Sequence, residues 1–156
     1  MEKIERILVV SRMSQNCREA VQTGISLAKK YGAGLQVLHL MNNPVPMEAL
    51  NAPLPYPDDR HKTRVSIQDE AKEELDRILS NEINSGFPIK ITVKEGDALD
   101  EIMQVVNEEK IDLMVMQAHE EGRLEHMLFG RENDAIIRKM PCNILLVKKE
   151  PEPVIW

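Results

Sequence analysis

Cysteine is scarce in this sequence: Cys17 and Cys142 are the only two among 156 residues, and they form no CxxC pair. That usage argues against a structural metal centre and points to a reducing compartment. An excess of positive charge is also missing. Lys and Arg number 20 against 26 Asp and Glu, a formal net charge of −6. Nucleic acid and anionic membrane surfaces both call for a basic face, so neither is expected as a partner. No apolar run approaches the length of a bilayer span. The opening MEKIERILVV has too short an apolar run, and no small-residue cleavage site, to read as a signal peptide. A cytoplasmic location is the expectation. The length suggests one domain, residues 1–150, with an extended tail at 151–156.

What is present is alternation. Ile4 to Val10 is rich in β-branched residues and reads as a buried strand. Cys17, Ala20, Val21, Gly24, Leu27, Ala28 and Tyr31 then recur at helical spacing, with Ser14 as N-cap and Gly32 as stop. Leu35 to Leu40 is a second strand. Ile67, Ala71, Leu75, Ile78 and Leu79 mark a helix face that Gly86 ends. Phe87 to Val93 is a third strand, placed at an edge by Pro88. Asp97 caps a helix carrying Leu99, Ile102, Met103 and Val106. Ile111 to Met116, a helix near Glu132 to Lys139 stopped by Pro141, and Asn143 to Val147 complete the pattern.

Strand–helix alternation of this kind predicts an α/β fold: a five-stranded parallel sheet, order 3-2-1-4-5, with helices on both faces. The winding reverses between strands 1 and 4. Ligands in such sheets bind beside the reversal, at the C-terminal strand ends. The loops there are Ser11–Ser14 and Gln117–Gly130. One segment breaks the alternation. Residues 42–63 hold five of the nine prolines and read as an extended excursion, either a lid or an insertion without a dedicated role.

Several clusters near the cleft invite chemistry and lack the pattern for it. His119 and His126 lie among Glu120, Glu121 and Glu125, but the spacing is not HExxH, so no metal site is assigned. Cys17 reads as a packed thiol, Cys142 as structural, and His39 as packed or hydrogen-bonded. Ser11 and Ser14 have no evident His–Asp partner. With no nucleophile–base–oxyanion set, the chain is not expected to be an enzyme.

The opening ILVV, AKKYGAGLQVLHL, EGDALDEI, DLMVM and the closing PCNILLVK, in that order and spacing, resemble the universal stress protein family across nearly the whole chain. The resemblance implies an adenine nucleotide alpha hydrolase-like sandwich, homodimers, and two classes of member, one that binds nucleotide and one that does not. The nucleotide-binding class carries Gly-x2-Gly-x9-Gly-Ser/Thr after strand 4 and an aspartate after strand 1. Laid on this chain, those positions fall on Gln117, Glu120, Gly130, Arg131 and Arg12, so only Gly130 matches.

The missing glycines have a physical meaning. A phosphate loop turns several backbone N–H groups toward one anion, which often needs positive φ and close approach. A glutamate beside a phosphate adds repulsion, about 4 kcal/mol for unit charges about 4 Å apart at an effective dielectric near 20. Arg12 pairing with Glu120 or Glu121 would fill the cleft from within. An opposing reading uses the arginines. Arg12, Arg123 and Arg131 could hold phosphate bidentately, with Met13, Met41 and Met116 as an apolar floor beside Ala118. The sequence therefore predicts a dimeric stress-response regulatory protein without a cofactor. The alternative is a sensor of ATP or AMP, with or without magnesium, that holds phosphate through arginine.

The last strand carries the dimer expectation. Asn143, Ile144, Leu145, Leu146 and Val147 form an apolar edge unbroken by charge, and such an edge invites pairing with a second copy. The tail, ending in Val154, Ile155 and Trp156, could instead cover it. Other protein partners are not identified by any motif.

Overall fold

The computed structural model describes residues 3–12, 18–41, 69–70, 72–118 and 131–148, with backbone alone at 131–133. Strands β1 (Arg6–Arg12), β2 (Gly34–Met41), β3 (Ile89–Glu95), β4 (Leu113–Gln117) and β5 (Asn143–Val147) form one sheet in the order β3-β2-β1-β4-β5. All four pairings are parallel. This is the architecture expected from the alternation, with the reversal between β1 and β4. The proline-rich stretch 42–63 and the tail 151–156 lie outside the described residues.

Helices cover both faces because each strand alternates its side chains between them. On one face α1 (Arg18–Tyr31) packs Ala20, Val21, Ile25 and Ala28 against Ile7, Val9, Leu35, Val37 and Val115. Leu75, from the helical residues 72–78, and Leu79 join that core. A short α2 (Ser80–Asn84) follows. On the other face α3 (Ala98–Glu109) contributes Ala98, Ile102, Val105 and Val106. Ile136 of α4 (Arg131–Lys139) completes this second core with Leu8, Val10, Leu38, Leu40, Met114 and Met116.

Helix ends follow their sequence signals. Gly32 leaves α1 with φ +63, a left-handed conformation that glycine adopts without a Cβ clash. Asp97 caps α3, its side chain accepting from Asp100 N at 3.1 Å. Lys110 takes the left-handed C-cap with φ 52, and Met140, beyond α4, has φ 43.

The N-terminal strand ends are held in line by Asp112. Its Oδ2 accepts from Glu5 N and Arg6 N, both at 2.9 Å. Its backbone oxygen accepts from Asn143 Nδ2 at 3.2 Å. One residue thus ties β1, β4 and β5 together, and the register it fixes carries through to their C-terminal ends.

Candidate functional site

The C-terminal ends of β2, β1 and β4 carry a row of polar side chains. Pairing places Ser11 opposite His39, and Val10 opposite Met116, so Gln117 lies level with Ser11 on the other side. His39, Ser11 and Gln117 are only 7%, 6% and 4% exposed. Strand alternation turns all three toward the face that α1 covers, the face of Val9, Val37 and Val115. Three buried polar groups in one row stand out beside Ile7, Val9, Leu35, Val37 and Val115 on the same face, and each must find hydrogen bonds.

Gln117 is satisfied at both ends. Its Oε1 accepts from Ala20 N at 3.3 Å, in the first turn of α1. Its Nε2 donates to Val147 O at 3.2 Å, at the end of β5. Val147 O also accepts from Ala118 N at 2.7 Å. A first-turn helix N–H has no intrahelical acceptor, so the glutamine oxygen fills a need that water or a ligand would otherwise meet. The side chain therefore straps α1 to β5 across the top of β4.

Ser11 and His39 form the second polar contact, Oγ to Nδ1 at 3.1 Å. The sequence alone gave no histidine partner for Ser11. The register between β1 and β2 supplies one, because the two residues are direct neighbours in the parallel pair. The expectation was that Ser11 has no His–Asp partner, and the structure supplies a histidine contact only. Among the described residues no acid orients the ring: His39 Nε2 is buried without a hydrogen-bond partner there. His39 is thus hydrogen-bonded, as its place at a strand end suggested.

Burial lowers the pKa of His39 below its ordinary value, because desolvation disfavours the charged ring. The sign of the linkage follows. The unfolded chain takes up this proton near pH 6.5, the native state only at lower pH. Stability from the neutral ring is complete above that pH and declines as pH falls through it. Denaturant unfolding of the wild type and His39→Gln, compared from pH 8 to pH 5, is expected to show the wild type losing stability faster below about pH 6.5. The excess slope should reach up to about 1.4 kcal/mol per pH unit. Parallel curves would mean that the ring titrates alike in both states.

The remaining cleft residues are divided by the sheet. Arg12 and Met116 alternate onto the face of α3 and α4, whereas Ser11, Gln117 and Met41 are on the α1 face. Met41 and Met116 therefore do not share one floor. Arg12 is only 4% exposed, a deep position for a guanidinium, and it is not a free cation. Ala118 follows β4 and is half-buried. Met13, Ser14, Cys17, His119, Glu120, Glu121, Arg123, Glu125, His126, Gly130 and the side chain of Arg131 lie outside the described residues. Among the described residues no group of three or more His, Cys, Asp or Glu could hold a metal ion. Burial pushes the Cys142 thiol up to about 11, so it stays protonated at neutral pH.

A cavity of about 180 Å³ lies at the opposite, N-terminal end of the strands, lined by Arg6, Gln36, Lys90 and Glu109 among others. Both of its cations already engage Glu109. Lys90 pairs with the carboxylate, and Arg6 donates to the backbone oxygen at 3.1 Å. The polar row at the reversal point is therefore the better candidate site. No described helix is long and apolar enough to cross a membrane.

A parallel five-stranded sheet with its crossover reversal between β1 and β4 defines the class: a doubly wound α/β protein of the kind that binds ligands beside the reversal. Within that class, the profile described as "Universal stress protein family" matches residues 3–148, and the chain belongs to that family. It is similar to stress response protein NhaX of Bacillus subtilis, 26% identical over 92% of this chain and 98% of NhaX. Universal stress protein MJ0577 of Methanocaldococcus jannaschii is 26% identical over 54% of this chain, a match spanning about half (52%) of that relative. Among solved structures, the universal stress protein UspA from Lactobacillus plantarum superposes with a TM-score of 0.72 at 17% identity, covering 94% of this chain and 99% of that one. More distant structures of the same fold include a universal stress protein in complex with cAMP, TM-score 0.57 at 14% identity, covering 96% of this chain and 100% of that one. Another is an Arabidopsis thaliana family member with AMP bound, TM-score 0.56 at 15% identity, covering 94% and 92%.

Proposed function

We propose that the chain is a dimeric, cytoplasmic stress-response regulator that works by interaction, without the glycine phosphate loop of the nucleotide-binding members. The observation that carries this reading is the double engagement of Gln117, to Ala20 N and to Val147 O. In the nucleotide-binding class this position is glycine, which leaves room for a phosphate to approach the backbone. Here a side chain occupies that position and uses the nearby first-turn amide itself. An ATP phosphate chain does not fit against this arrangement. Turnover is not part of the proposal, because the Ser11–His39 contact has no acid behind it among the described residues.

The dimer would form through β5. One edge of β5 pairs with β4, and the other has no partner strand among the described residues. Leu146 on that strand is 45% exposed. Pairing β5 with its copy would satisfy edge backbone groups and cover Leu146.

A second reading draws on a different observation: Arg12 is held deep at the reversal point, where a nucleotide phosphate would carry its charge. Relatives of this fold in complex with cAMP and AMP favour the same reading, a nucleotide sensor built on arginine. Titration calorimetry with ATP, ADP and AMP, with and without magnesium, separates the two. The proposed reading expects Kd values no tighter than about 1 mM, near −4 kcal/mol. Binding at micromolar concentration by the wild type would replace it with the sensor.

A further inference from the structure

We infer that the cavity at the N-terminal ends of the strands binds a small carboxylate that also carries a hydrogen-bond donor, a hydroxy acid or an amino acid. This site is at the opposite end of the sheet from the polar row, and it stands independently of the proposed function. Strand register builds it. Gln36 of β2 pairs with Leu8 of β1 on one side and with Lys90 of β3 on the other. Arg6, Gln36 and Lys90 therefore project to one face of the sheet, the face of Leu8 that α3 covers. Helix α3 ends there at Glu109, and Ile111 closes the wall. The cavity measures about 180 Å³. That is the share of about six liquid waters at about 30 Å³ each, room for a short-chain acid.

Engagement with Glu109 does not use up the cations. Arg6 donates one guanidinium N–H to Glu109 O at 3.1 Å, and the rest of its planar fork can still take a carboxylate. Lys90 meets Glu109 Oε1, and an ammonium carries further donors. Two cations and one carboxylate line the cavity, a local positive charge in a chain of net charge −6. That charge favours an anion. Gln36 sets the second requirement. It is only 6% exposed, and its Nε2 donates to Thr92 Oγ1 at 3.2 Å. The other end of the carboxamide has no described partner, and the residue lines the cavity. A polar group in so buried a place is ordinarily hydrogen-bonded. A ligand hydroxyl or ammonium would supply that bond, and the negative C-terminal end of α3 favours a donor in the same place. A carboxylate toward Arg6 and Lys90, with the donor toward Gln36 and Glu109, meets both requirements at once.

The test titrates the full chain with lactate, alanine and propanoate, which share one carbon skeleton and differ in carrying a hydroxyl, an ammonium or neither. NMR follows the Gln36 side-chain amide and the Ile111 backbone amide. Lactate or alanine is expected to move both resonances saturably, with a Kd of about 1 mM or tighter. Propanoate, which lacks the donor, is expected to bind about tenfold more weakly. Lys90→Gln is expected to weaken binding by about tenfold or more. Lys94→Gln removes the same charge from the same strand outside the cavity and is expected to leave affinity unchanged. No saturable shift with either acid at about 50 mM overturns the inference. Equal affinity for propanoate, equal losses in the two variants, or shifts confined to Ser11, His39 and Gln117 overturn it as well. Circular dichroism establishes that each protein is folded, and Arg6→Gln replaces Lys90→Gln under the same criteria if the latter does not fold. Nucleotide binding by the wild type would remove the proposed function and leave this site untouched.

Discussion

Gly24→Leu is expected to destabilise the protein by more than about 2 kcal/mol, the largest loss predicted here for a single side chain. Gly24 lies where α1 crosses β1. A Cβ built on it would stand 2.2 Å from Val9 Cγ2 and 3.5 Å from Leu35 Cδ1. The Leu35 distance is ordinary contact, so the clash falls on Val9, which does not yield readily. Val9 is fully buried in the central strand, and a β-branched side chain has few χ1 alternatives. Helix propensity works in the other direction, since leucine is better than glycine in a helix by about 0.8 kcal/mol. Overpacking at about 3 kcal/mol exceeds that gain. In a chain of this size the net loss corresponds to a fall in Tm of about 5–8 °C. Chemical denaturation should show a lower midpoint with an unchanged m-value. An unshifted midpoint would mean that α1 can lift off the sheet at no cost. The consequence reaches the site, because α1 carries the Ala20 amide that Gln117 holds.

Leu146→Arg is expected to turn the proposed dimer into a monomer at micromolar concentration without unfolding it. Leu146 is 45% exposed, so a charged side chain there meets water in the free chain. At the centre of a two-fold interface it would meet its own copy. An anchor residue of this kind costs about 2 kcal/mol or more when lost, about thirtyfold in Kd, and like-charge repulsion adds to it. The neighbouring Leu145 is a poorer choice, since it packs against the α1-side core and its loss would mix folding with association. Sedimentation velocity of the two proteins at matched concentration decides the matter. A variant that sediments as a dimer with the wild type excludes pairing through β5.

Much of the fold was legible because periodicity is local. Asn143 to Val147 matches β5 residue for residue, and Asp97 caps α3 as its spacing indicated. Gly32 and Gly86 both take positive φ at the stops assigned to them. Pro88 correctly marked β3 as an edge strand. Strand bounds moved by one or two residues. β1 runs to Arg12 and β4 to Gln117, because pairing with a neighbouring strand, not composition, decides where a strand ends.

The site was less legible. Arg12 and Gln117 were placed at the cleft by topology, but the face each occupies depends on the strand's phase. That phase separates Met41 from Met116 and brings Ser11 to His39 across 28 residues of sequence. His39 had a detectable signal: a polar residue near the C-terminal end of an apolar strand, with a serine near the same end of another. The pairing register that makes them neighbours is absent from either segment alone.

By itself the sequence determined the alternation of strands and helices and the parallel sheet with its reversal beside strand 1. Those follow from side-chain period, which is a property of short segments. Only the tertiary structure decided that Gln117 joins α1 to β5, that Ser11 meets His39, and that Arg12 is buried. Each of these is a contact between segments distant along the chain, fixed by strand register and helix placement, which no short segment contains.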